Sequence, residues 1–79
     1  MTNDNDMSRS VRRAIEGYFR DLDGEKASRV YRMVIDCVEK PLLETMLHRV
    51  RGNQTHAAAM LGINRNTLRK KMKEHGIKG

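Results

Sequence analysis

Three glycines, Gly52, Gly62 and Gly76, divide the last third of this chain into two short stretches, and an asparagine stands near the start of each. Glycine accepts the left-handed backbone that ends a helix, and asparagine is a good N-cap. The pattern therefore predicts a helix from Gln54 to about Leu61, capped by Asn53 and closed by Gly62. A second helix follows from Arg65 to about His75, capped by Asn64 and ended by Gly76. Two short helices joined by a tight turn around Gly62-Ile63 form a helix-turn-helix. Ala58 is small enough to let them cross closely, and Ile63, Leu68 and Met72 give the second helix an apolar stripe to bury.

Upstream, apolar residues recur at helical spacing. Ser8 is placed to cap a helix whose face is Val11, Ala14, Ile15, Tyr18, Phe19 and Leu22, ending near Asp23-Gly24. From Glu25 a longer helix is expected to run to about Arg51, kinked at Pro41, which lacks the N–H for the Cys37 carbonyl. Between Val30 and Val38 the apolar positions cover more than half the helical circumference, and Leu42, Leu43, Met46, Leu47 and Val50 occupy a different sector. No segment shows strand-like alternation. The fold class is all-α, with four helices.

At 79 residues and 38% hydrophobic content, a lone core is marginal, and a partner subunit is the natural source of further buried surface. Val30, Tyr31, Val34, Ile35, Val38, Leu42 and Leu43 are the candidate dimer core. The expected organisation is one domain: residues 1–7 a disordered segment, 8–51 a helical dimerisation region, and 52–79 the helix-turn-helix.

Charge is unevenly spread. The net charge is +6, but residues 1–48 carry 8 basic and 9 acidic groups and residues 49–79 carry 8 basic and 1 acidic. So positive a C-terminal segment suits a polyanion, nucleic acid or an anionic membrane surface, while the near-neutral first part suits protein packing. A membrane-surface helix needs bulky apolar residues opposite its basic face, and the last helix offers chiefly Leu68 and Met72.

Catalytic and metal chemistry find no support. The single cysteine, Cys37, has no partner for a disulfide or a zinc site and is read as a small buried hydrophobe. His48, His56 and His75 fall on different helices and are read as surface groups. Asp21, Asp23 and Glu25 look like a solvated turn. No enzyme, cofactor, metal or small-molecule substrate is expected. The polar, acidic start is unlike a secretory signal and no apolar run is long enough to span a bilayer, which points to the cytoplasm.

The last helix carries Arg65, Asn66, Thr67, Arg69, Lys70 and Lys73 outside its apolar stripe. Arg65, Arg69 and Lys73 form an i, i+4, i+8 row of like charge, unfavourable in isolation and favoured by an anionic partner. In a DNA-bound helix-turn-helix the first turn of the second helix lies nearest the base edges, so Asn64 and Arg65 are placed to read sequence. Arginine suits guanine and asparagine adenine. Thr67, Arg69, Lys70 and Lys73 are placed for phosphates, as are Asn53 and Thr55 at the front of the preceding helix. Asn53 and Asn64 also suit plain capping, and the roles do not exclude each other.

The stretch Lys40–Gly76, above all Arg51-Gly-Asn-Gln-Thr55, Gly62-Ile-Asn-Arg65 and Thr67-Leu-Arg-Lys-Lys71, resembles the Fis family of bacterial nucleoid-associated DNA-bending proteins. The likeness continues more loosely through Tyr18-Phe19, Asp23-Gly24, Tyr31 and Pro41-Leu42-Leu43. The last two helices also resemble the DNA-binding end of nitrogen-regulatory activators, but this chain carries no ATPase domain. The Fis resemblance implies a homodimer interlocked through the first two helices, and a transcription regulator of the bacterial nucleoid that bends double-stranded DNA around narrow, AT-rich centres. RNA polymerase joins the candidate partners. The resemblance places base contacts on Asn64 and Arg65 and backbone contacts on Asn53, Thr55, His56, Thr67, Arg69 and Lys70.

Two departures from the family pattern matter. His56 and Asn66 stand where well-studied members have Arg and Gly, so the contact at His56 is expected to be weaker and pH-dependent. Met1–Met7 are too few for the family's β-hairpin arm, which argues against stimulation of DNA inversion. The competing reading is a helical protein–protein adaptor whose basic last helix docks on an acidic partner.

Overall fold

The computed structural model describes residues 5–22, 24 and 26–79. These form α1 (Asp6–Leu22), α2 (Val30–Arg49), α3 (Gln54–Leu61) and α4 (Arg65–Glu74), with no strand among the described residues. The all-α, four-helix expectation holds. The chain divides into two compact units, Met1–Val34 and Ile35–Gly79.

In the first unit, α1 begins earlier than Ser8. Asn5 Oδ1 accepts the Ser8 backbone N–H at 2.8 Å and the Ser8 hydroxyl at 3.0 Å, so asparagine takes the capping role and Ser8 becomes a donor. Asp6 in the first turn, paired with Arg9, adds a favourable charge at the helix N-terminus. Asp6 and Met7 are thus helical rather than part of a disordered segment, and residues 1–4 lie outside the described set. The helix is strongly amphipathic, yet none of its residues is buried.

The start of α2 also departs from expectation. Glu25 lies outside the described residues, as does Asp23. Lys26–Ser28 are not helical, and Arg29 has φ +57°. Only Ala27 is apolar between Lys26 and Arg29, so that stretch has no face to bury, and the periodic helix begins at Val30. From there α2 runs unbroken through Pro41 to Arg49. It stops two residues before the expected Arg51, as Arg51 (φ +54°) and Gly52 (φ +82°) turn left-handed and Gly52 N–H donates to the Leu47 carbonyl at 2.8 Å.

The second unit holds the core. Leu43 and Leu47 from α2 meet Ala57 and Ala58 of α3 and Leu68 and Met72 of α4, flanked by Met46, Val50, Leu61, Ile63 and Ile77. Leu43, expected in the dimer core, is only 2% exposed within a single chain and is therefore unavailable to a partner. The expected boundary between residues 51 and 52 gives way for the same reason: the C-terminal half of α2 is needed to bury the helix-turn-helix. Cys37, expected to be buried, is exposed, because it lies roughly 120° around α2 from Leu43 at 100° per residue.

Leu68→Ala should cost about 2–5 kcal/mol through lost burial and a residual cavity. Gly62→Ala should cost nearer 1 kcal/mol, because φ is +76° there but a methyl group meets nothing within 4 Å. Urea denaturation followed by circular dichroism checks both the costs and their order.

Candidate nucleic-acid interface

The predicted caps are formed. Asn53 Oδ1 accepts the His56 N–H at 3.1 Å, and Asn64 Oδ1 accepts the Asn66 N–H at 2.6 Å. Between the two helices Gly62 sits at φ +76°, and Ile63 N–H donates to the Ala58 carbonyl at 3.0 Å. That bond spans the turn and returns the chain so that Ile63 packs against the core. Ala57 and Ala58 are 0% and 3% exposed, as expected of small residues that let helices approach closely.

With Leu68 and Met72 inward, the rest of α4 faces outward. Asn64, Arg65, Asn66, Thr67, Arg69, Lys70 and Lys73 are all exposed, as are Asn53, Thr55 and His56 on the α3 side. Arg65, Arg69, Lys70 and Lys73 make no side-chain hydrogen bond or ion pair among the described residues. Arg69, Lys70 and Lys73 line a groove of about 580 Å³ together with Asn66 and, from the first residue of α3, Gln54. Gln54 was not singled out by sequence, although its place directly after the Asn53 cap at the helix N-terminus was a usable signal.

Lys71 behaves differently from its basic neighbours. Its Nζ lies 2.8 Å from Glu39 Oε2, while the other oxygen of that carboxylate lies 2.8 Å from His75 Nε2. One acid on α2 thus grips two residues one turn apart at the C-terminal end of α4 and just beyond it. His75 is consequently not the expected surface group, its side chain being 9% exposed. Separations of 32 and 36 residues placed this clamp beyond any local pattern. The hydrogen bond from Lys71, followed by that from His75, holds the Glu39 carboxyl below its ordinary value, against the opposing effect of burial.

Comparison with known proteins covers this region and extends beyond it. The sequence model described as bacterial regulatory protein, Fis family, matches residues 35–75, beginning where the second compact unit begins. The chain belongs to the Fis family. It is also 52% identical over 73 residues to a protein of Ralstonia nicotianae whose name describes it as Fis-like and DNA-binding, the match covering 92% of this chain and 95% of that protein. The Fis family is one of regulatory helix-turn-helix proteins rather than of enzymes. Among the described residues no helix is long and apolar enough to cross a membrane, and no group of three or more His, Cys, Asp or Glu could hold a metal ion.

The Glu39 clamp makes this Fis-family fold sensitive to acid. Because its folded-state pKa is depressed, the unfolded chain binds the proton more readily. The contribution is therefore full above the unfolded value near 4.5 and is lost as pH falls through the lower folded value. Glu39→Gln should cost about 1–2 kcal/mol at pH 7. Denaturation of both proteins between pH 7 and pH 3 should show the difference shrinking below about pH 4.5, as the wild-type carboxyl becomes neutral too.

Proposed function

We propose that this Fis-family protein is a homodimeric regulator that binds double-stranded DNA, lays α4 in the major groove and bends the duplex, favouring sites with an AT-rich centre. The observation that carries the DNA reading is the array of exposed, unpaired cations on α4, set apart from the one lysine that Glu39 neutralises. Arg65 and the Asn64 amide stand at the first turn, nearest the base edges in helix-turn-helix docking. Arg69, Lys70 and Lys73, with Thr67 and with Asn53, Thr55 and His56 across the turn, are assigned to the DNA backbone, where they add affinity and orientation.

Dimerisation is supported by apolar surface that one chain leaves uncovered. Tyr31 is 80% exposed, Leu42 44% and Val38 41%. At 100° per residue, Tyr31, Val34, Ile35, Val38 and Leu42 fall within an arc of roughly 100° on the side of α2 away from Leu43. Val30 adjoins that arc, and the unburied apolar stripe of α1, including Phe19 at 50% exposure, offers a second such surface. Bending, the AT-rich preference, a place in the bacterial nucleoid and RNA polymerase as a further partner rest on the family resemblance.

Duplexes labelled at both ends and differing only in their central base composition report binding and bending in one titration. Affinity should fall steeply with salt, by a logarithmic slope of about −0.9 per neutralised phosphate, and end-to-end energy transfer should rise on saturation. Arg65→Ala should cost about 1–3 kcal/mol at a preferred site and less on random duplex. Weak binding indifferent to composition would redirect the basic face to an acidic protein partner. For the dimer, sedimentation equilibrium at micromolar concentration should return twice the chain mass, and Val38→Asp should shift it toward the monomer.

A further inference from the structure

The folded chain constrains what Asn64 can read. An asparagine recognises adenine with both halves of its amide, Nδ2 donating to N7 while Oδ1 accepts from N6. Here Oδ1 of Asn64 already accepts the Asn66 N–H at 2.6 Å and closes the open end of α4. That bond takes one of the two lone pairs of Oδ1 and fixes the plane of the amide, so Asn64 can meet a base edge only in the orientation the cap allows.

Asn66 carries no such constraint. Its side chain is exposed and takes part in no hydrogen bond among the described residues, so donor and acceptor are both free. It stands in the first turn of α4, two residues past the cap. At 100° per residue it lies roughly 160° from Leu68 and 120° from Met72, on the side turned away from the core. Lys70 follows one turn later, and Asn66 shares its groove with Arg69 and Lys73. An uncharged, bidentate amide thus sits among cations suited to the flanking phosphates.

We infer that Asn66 is a specificity-determining residue of this protein, reading an adenine edge through its side-chain amide independently of Asn64, whose amide is held by the cap. This rests on the DNA-binding function proposed above. The test is selection of binding sites from a randomised duplex library by the wild type, Asn66→Ala and Asn64→Ser, followed by anisotropy titration of the selected and random duplexes. Asn66→Ala removes no buried contact and should melt as the wild type does, and Asn64→Ser keeps a capping oxygen while deleting the amide.

The wild type should enrich adenine at a fixed position. Asn66→Ala should lose that enrichment and bind the selected duplex roughly tenfold more weakly, with less than about a twofold change on random duplex. Asn64→Ser should keep the enrichment. The inference is overturned if Asn66→Ala selects the same adenine, or if Asn64→Ser is the variant that loses it. A wild type that binds DNA without any base preference, or does not bind it, would overturn groove reading itself, and that outcome is visible before either variant is compared.

Discussion

What α4 presents to solvent depends on what holds its other side. Leu68 and Met72, one turn apart, are buried against the leucines of α2 and the alanines of α3. Lys71 and His75, also one turn apart, are held by the two oxygens of Glu39. Apolar burial draws the helix inward without directional preference, whereas the two hydrogen bonds from one carboxylate are directional and fix which way it is turned. Together these contacts occupy the inner side and leave Arg65, Asn66, Arg69, Lys70 and Lys73 outward. An ion pair that is only partly exposed is also screened less by salt than the outward cations, so the scaffold and the binding face respond differently to ionic strength.

The long helix α2 serves two surfaces. Leu43 and Leu47 complete the core beneath the helix-turn-helix, which α3 and α4 could not build alone with eight and ten residues. The opposite side of α2 carries the exposed apolar arc assigned to a second copy. The match to the Fis family begins at residue 35, within α2, which fits a unit that needs the second half of this helix. Pro41 lies in that half without ending the helix, and both it and Cys37, whose carbonyl loses the usual donor, are exposed residues.

Local hydrogen bonds also restrict chemistry. Asparagine at a helix start is read with equal ease as a cap or as a base reader, and a cap bond takes one lone pair of the amide oxygen and fixes the plane of the amide. For Asn53, assigned to a phosphate, the conflict is mild, since its Nδ2 still donates. For Asn64 it is stronger, since adenine recognition needs donor and acceptor together in a plane that the cap already sets.

The helix count, the two caps and turn of the helix-turn-helix, and its outward basic residues were legible in the sequence. Each follows from short-range chemistry: glycine at positive φ, asparagine at a helix start, apolar residues at a period of 3.6. The starts of α1 and α2 were misplaced because Asn5 and Ser8 compete as caps and because periodicity begins only at Val30. The Glu39 clamp, the burial of His75, the exposure of Cys37 and the assignment of Leu43 to the core of its own chain were decided by tertiary structure alone. They depend on which side of α2 faces α4, and residues 32 or 36 positions apart are paired by the packing of whole helices rather than by any local preference.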